Sequence, residues 1–187
     1  MHAAIETYEQ AIEFLFGRIN YERLNSDLYS AGDFKLDRMN RLLAAIDHPE
    51  EHLPVVHVAG SKGKGSTSAM IASALSACGH RTGLFTSPHV ESFEERMTVD
   101  GQPPTTKRIT DLIDEVAEAV RAIEREPGHL NPTYFEITTA IAWKHFTHSQ
   151  ADLAILEVGL GGRLDAMNIV DPDLTIITSI SLDHQDW

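Results

Sequence analysis

Cysteine is almost missing. With Cys78 alone among 187 residues, no internal disulfide can form, so the fold must rest on burial of apolar side chains. Cys78 falls in a helical pattern of small apolar residues, where a buried, inert thiol is expected. Basic side chains are also few: 15 against 28 acidic ones, a net charge of −13. Duplex nucleic acid and anionic lipid surfaces bind by neutralisation of their own negative charge, so neither is expected as a partner. A small anionic ligand stays open, because Lys62, Lys64, Arg81, Arg96 and Arg163 stand in or near Gly-rich or loop-like segments. No apolar run approaches a membrane span. Residues 1–6 show neither the basic nor the apolar region of a secretion leader, which makes the cytoplasm the expected location.

What the chain does have is 42% apolar residues, enough for a core, and one conspicuous segment. It reads Val55-Val56-His57-Val58-Ala59-Gly60-Ser61-Lys62-Gly63-Lys64-Gly65-Ser66-Thr67. A β-branched run feeds a Gly-dense turn, then a lysine, then two hydroxyls that open a helical pattern. Glycines let the backbone wrap closely and aim N–H groups at one anion, and the helix N-terminus adds its positive end. Lys64 supplies a charge for terminal phosphate oxygens, and Ser66 or Thr67 a hydroxyl for phosphate or magnesium. The spacing departs from G-x-x-x-x-G-K-[ST], since Gly60 and Lys64 are too close and Gly65 intervenes. The plain rival is a Gly-rich connector between strand and helix.

Helical spacing is predicted over residues 5–19, again through Leu36, Met39, Leu42, Leu43 and Ile46, and from Ser66 to Cys78, with Met70, Ile71, Ala74, Leu75 and Cys78 on one side. Further helices are predicted from Thr105 or Thr106 up to Pro127, and over residues 134–146. Strands are predicted at 55–58, 81–85, 153–158 and 174–178, the last two buried, with a short extended segment at 96–99. The alternation predicts an α/β fold, a mostly parallel sheet flanked by helices. Ligands of such sheets gather beyond the carboxyl ends of the strands. Ser87, Glu157 and His184 all stand at or just past such ends, on the edge where the glycine loop leaves its strand.

With the loop, three more segments become recognisable: Thr86-Ser87-Pro88-His89, residues 156–165 (LEVGLGGRLD) and residues 181–187 (SLDHQDW). Together they resemble dihydrofolate synthase/folylpolyglutamate synthase, of the Mur ligase superfamily. The superfamily's loop is G-x-x-G-K-[GT]-[ST], which accounts for the unusual spacing; Lys62 stands where the family usually has Asn. The resemblance implies a P-loop-type central domain and an ATP-dependent ligase using magnesium, with ATP as co-substrate. It phosphorylates a carboxylate of dihydropteroate or a reduced folate, and the amino group of L-glutamate attacks the acyl phosphate. Carried over, Gly60, Ser61, Lys62, Gly63, Lys64, Gly65, Ser66 and Thr67 are the ATP-phosphate site. Ser87, Glu157 and His184 are the magnesium ligands, and Lys64, Glu157 and His184 the catalytic set. Asp33, Phe34, Lys35, Leu36, Thr133, Tyr134, Phe135, Glu136, Leu164, Asp165 and Ala166 line the pterin side. Family members continue with a second, glutamate-ligating domain. Residues 1–187 are therefore expected to be an incomplete ATP-binding domain, inactive alone, of an intact enzyme that is monomeric.

Each assignment has a duller rival. Ser87 is an ordinary turn hydroxyl before proline, and His184 a strand cap. Tyr134 and Phe135 are core residues at a helix start, and His145 and His148 a solvated helix face. Glu91, Glu94 and Glu95 form a solvated, mobile loop face. Two other functions stay open: a different Mur-type ligase, and a non-catalytic module that binds nucleotide.

Overall fold

Strands that must be buried on both faces form a parallel sheet only if helices cross over between them, and this chain supplies those helices. The computed structural model describes residues 4–21, 36–127, 131–159, 162–163 and 165–181. Strands β1 (Val55–Ala59), β2 (Thr82–Phe85), β3 (Met97–Val99), β4 (Leu153–Glu157) and β5 (Leu174–Ile177) make one sheet in the order β3-β2-β4-β1-β5. All neighbours pair in parallel except β3, which runs antiparallel to β2 at one edge.

Helices α1 (Tyr8–Phe16), α2 (Leu36–Ala44), α3 (Lys64–Ala77), α4 (Thr106–Glu124) and α5 (Tyr134–His148) cover the sheet. The chain moves one way across the sheet from β1 to β2, through α3, and back from β2 to β4, through α4 and α5. Right-handed crossovers therefore place α3 on one face and the α4–α5 layer on the other. The larger core lies on the α4–α5 side and gathers Phe85, Trp143, Tyr134 and Leu156. The smaller one, under α3, holds Val58, Ala72 and Ile155. Side chains alternate along a strand, so Glu157 at the end of β4 shares the face of Ile155 and points to the α3 side.

Helix boundaries follow capping chemistry. Thr105 accepts the Arg108 N–H at the start of α4, and Thr133 with Glu136 forms a reciprocal capping box at the start of α5.

Several expectations fail on burial. Strand β5, read as buried, is the edge strand: Leu174 and Ile177 are 53% and 60% exposed, because α3 packs over β1, β2 and β4. Helix α3 rests on Ser68, Ile71, Ala72 and Leu75, a stripe rotated from the one expected, so Met70 and Ala74 face outward. Cys78, read as buried, is exposed at the α3 C-cap, beyond the last turn that touches the sheet. His145 is buried rather than solvated, since the 19-residue α4 packs along α5 and covers it. The acidic loop is only partly solvated: Glu91 is exposed, but Glu94 is buried, and the Glu95 carboxylate accepts the N–H groups of Val90, Glu91 and Ser92.

Candidate active site

Strand β1 ends at Ala59 and α3 begins at Lys64, so four residues must reverse the chain within a very short span. Gly60 does this at φ 138° and Gly63 at φ 80°, both left-handed values that favour glycine. Gly63 in this conformation, followed by helical Lys64, makes a concave run of backbone N–H groups at the N-terminus of α3. Lys64 folds back and its Nζ donates to the Gly60 carbonyl at 3.0 Å, which ties the ends of the loop together.

Directly across from this helix start stands Glu157. A Cβ on Gly65 would sit 3.3 Å and 3.5 Å from its two carboxylate oxygens, so the absence of a side chain there is what lets the carboxylate approach. The Ser87 N–H donates to Glu157 Oε2 at 3.1 Å and brings the end of β2 to the same point. Burial pushes the Glu157 carboxyl above its ordinary range. The Ser87 N–H, the charge of Lys64 and the Gly65 N–H pull it the other way. Thus Lys64, Gly65, Ser87 and Glu157, drawn from three separate stretches, meet at one edge of the sheet.

The donor chemistry there suits magnesium. A buried carboxylate and a serine hydroxyl are hard oxygen ligands, and a carboxylate that burial alone destabilises is one a cation would relieve. His184, the third expected ligand, lies outside the described residues, as do Asp33, Phe34, Lys35 and Leu164.

Besides Lys64, two further members of the expected phosphate set are engaged within the protein. Ser61 gives its N–H to the Ser179 carbonyl at 2.7 Å, and its Oγ is paired with the backbone of Ser181. Thr67 gives its N–H to Gly63 O in an ordinary helical bond. The residues that hold Ser61, on the segment after β5, escaped the sequence reading. Their signal was a run of Thr and Ser following an apolar strand at the same sheet edge. Arg96, counted among the nearby cations, is core: 2% exposed, with Nε donating to His89 Nδ1 at 2.7 Å and its guanidinium over the Tyr134 ring.

The expected pterin residues divide. Tyr134 is fully buried between Phe16 and Phe93, as part of the core. Thr133 and Glu136 form the α5 capping box, and Glu136 also pairs with Arg38 Nε at 2.9 Å. Ala166 is buried, and Leu36 is the half-buried first residue of α2. Phe135 and Asp165 do come together: both crowd Gly159, where a Cβ would be 2.6 Å from Phe135 Cζ and 3.2 Å from Asp165 Oδ2. That meeting point lies two residues beyond Glu157 in the chain.

Residues 58–187 match the family model of the Mur ligase middle domain. The chain belongs to that family. It is 43% identical over 152 residues to the dihydrofolate synthase/folylpolyglutamate synthase of Bacillus subtilis, covering 81% of this chain and 35% of that protein. The protein of the same name from Escherichia coli is 39% identical over 184 residues, 98% of this chain and 41% of the relative. The apo form of Lacticaseibacillus casei FPGS superposes with a TM-score of 0.87 at 30% identity, over 97% of this chain and 42% of that one. An FPGS–AMPPCP–folate complex superposes with a TM-score of 0.86 at 32% identity, over 97% of this chain and 42% of that one. This Mur ligase domain thus spans well under half the length of the proteins it resembles.

Proposed function

We propose that this chain carries the ATP-phosphate and magnesium part of a ligase that joins L-glutamate to dihydropteroate, to reduced folate, or to both. One observation carries the proposal: the N-terminus of α3, Lys64, the Ser87 backbone and the buried Glu157 carboxylate converge at the carboxyl edge of a parallel sheet. Relatives bearing the dihydrofolate synthase/folylpolyglutamate synthase name, and the structure holding both AMPPCP and folate, support this substrate pair.

In this reading the N–H groups of Gly63, Lys64 and Ser66 receive the phosphates, the Gly65 N–H stays on Glu157, and Lys64 Nζ turns from Gly60 toward the transferred phosphoryl group. Glu157 and Ser87 would hold magnesium, with His184 as a third ligand; bound there, the ion neutralises phosphate charge during transfer. Phe135 and Asp165, beside the end of β4, would face the pterin. The accepting carboxylate takes the terminal phosphoryl group from ATP, ADP departs, and the glutamate amine displaces phosphate from the resulting acyl phosphate. Fixed donors aimed at the phosphates lower the barrier mainly through alignment and charge.

Binding of AMPPCP to the chain, titrated with and without Mg²⁺, tests the site. Magnesium-dependent binding that disappears in Glu157→Gln is expected, whereas equal binding in both chains would remove Glu157 from the site. On the intact protein, phosphate release that requires ATP, a pteroate and L-glutamate together tests the reaction. Release with nucleotide-linked peptides instead would reassign the substrate.

A further inference from the structure

The segment that follows β5 is stitched to the end of β1 and the phosphate loop through Thr178, Ser179 and Ser181. The Thr178 N–H donates to Ala59 O at 2.9 Å, which extends the β1–β5 ladder past the strand end. Its Oγ1 reaches Lys62 O at 2.7 Å, with Ala59 O further off at 3.3 Å; a hydroxyl has one proton, so the shorter contact is the bond. Ser61 N–H donates to Ser179 O at 2.7 Å, and Ser61 Oγ both donates to Ser181 O and accepts from Ser181 N–H. Thr178 also occupies the space a side chain at residue 60 would need: a Cβ on Gly60 would lie 2.2 Å from its Oγ1.

We propose that Thr178 is a positioning residue for the phosphate loop, acting through the Lys62–Gly63 peptide plane. In a trans peptide the carbonyl and the following N–H point in opposite directions. With Lys62 O held by Thr178 on the β5 side, the Gly63 N–H is turned away from β5. Gly63 is the left-handed residue that opens the anion-binding concavity. Ser179 Oγ also reaches Lys62 O, but at 3.4 Å against 2.7 Å for Thr178. Without the Thr178 hydroxyl only that long contact holds the plane, and when it flips a carbonyl faces an incoming phosphate. The Ser61–Ser181 pair stops the loop from sliding along β5, so Thr178 fixes one remaining rotation. This inference rests on the phosphate-binding reading of the loop.

The test compares the full chain with Thr178→Val, which keeps shape and removes the hydroxyl, and Thr178→Ser, which restores it. Amide hydrogen exchange without nucleotide reads the latch itself: residues 61–66 should exchange faster in the Val variant and regain protection in the Ser variant. Unchanged exchange in Val overturns the latch whatever the loop binds. Affinity for Mg²⁺–AMPPCP should fall about tenfold in Val, the equivalent of one well-aimed hydrogen bond, and recover in Ser. If the Val variant binds as tightly as the parent, the positioning role is wrong while the site reading stands. If the parent shows no magnesium-dependent AMPPCP binding, the site reading falls and the positioning role falls with it. A Ser variant as impaired as Val would also overturn the proposal, because restoring the hydroxyl would then not restore the loop.

Discussion

Two glutamates in this molecule are equally hidden, at 6% exposure each, yet the protein treats them in opposite ways. Glu136 opens α5 on the helical layer. Its carboxylate accepts the Thr133 N–H at 2.7 Å and takes the Arg38 guanidinium at 2.9 Å and 3.1 Å, so both oxygens are occupied. Glu157 ends β4 on the α3 side. It receives the Ser87 N–H at 3.1 Å and the Gly65 N–H, both uncharged donors, and Lys64, the cation near it, spends its Nζ on the Gly60 carbonyl. A buried carboxylate is tolerable when every lone pair has a partner and costly otherwise. Glu136 therefore has a cation bonded to it, whereas Glu157 is held by backbone N–H groups, which fits the magnesium role proposed for it. Their sequence contexts are similar, an acidic residue at an element boundary, so burial alone would not have separated them.

Breaking the satisfied pair should produce the largest effect. Glu136→Ala removes the side-chain half of the α5 capping box and leaves the buried Arg38 without this carboxylate, which should cost about 3–5 kcal/mol of stability, read as a lowered urea midpoint. A cycle with Arg38→Ala should return a large coupling energy, and additive losses would show that the pair is not a unit. Glu157→Gln should do the reverse. Stability should change by no more than about 1 kcal/mol, since a desolvated charge is removed, while magnesium-dependent AMPPCP binding is lost. If Glu157→Gln unfolded as readily as Glu136→Ala, the two carboxylates would be doing the same job.

The sequence made the strands, the crossovers and the loop–helix junction legible because each has a local cause: β-branched runs, capping residues, left-handed glycines. The convergence of Lys64, Ser87 and Glu157 was also legible, since parallel topology sends every strand end to one edge. What stayed hidden depended on neighbours remote in sequence. Cys78, Met70 and Leu174 looked buried because periodicity gives a helix or strand two sides but not the place where the layer above it stops. The pairing of Glu136 with Arg38, 98 positions earlier, could not be read from either residue's local pattern. The hydroxyls of Thr178 and Ser61 were invisible for the same reason, being bonded across more than a hundred residues.

A smaller perturbation sharpens the contrast at Glu157 without touching its charge. Gly65→Ala places a methyl 3.3 Å from Oε2, so the carboxylate must give by a few tenths of an ångström. Alanine favours the helix by about 1 kcal/mol, so the chain should be no less stable. Affinity for Mg²⁺–AMPPCP should nevertheless fall about fivefold, or ~1 kcal/mol, as the ligand geometry shifts. Stability and binding would then move in opposite directions at one residue, and a variant that binds as the parent does would mean the approach of Glu157 to the helix is not functional.

The smallest effect extends the comparison to a third buried ionisable group, His145, on the same helix as Glu136. Here the solution is neutrality: burial, then the charges of Arg108 and His148, lower its pKa from 6.5 to about 4. The unfolded chain takes up a proton near pH 6.5 while the folded one resists until about pH 4, so between these values the unfolded state binds more protons. The stability owed to a neutral His145 is whole above pH 6.5 and drains away as the pH falls toward 4. By pH 5.5 the loss should be about 1 kcal/mol. His145→Gln cannot titrate, so its urea midpoint should decline less than the parent's between pH 7.5 and 5.5. Parallel declines would mean that the imidazole charges as easily inside the protein as outside, and that α4 does not seal this stretch of α5.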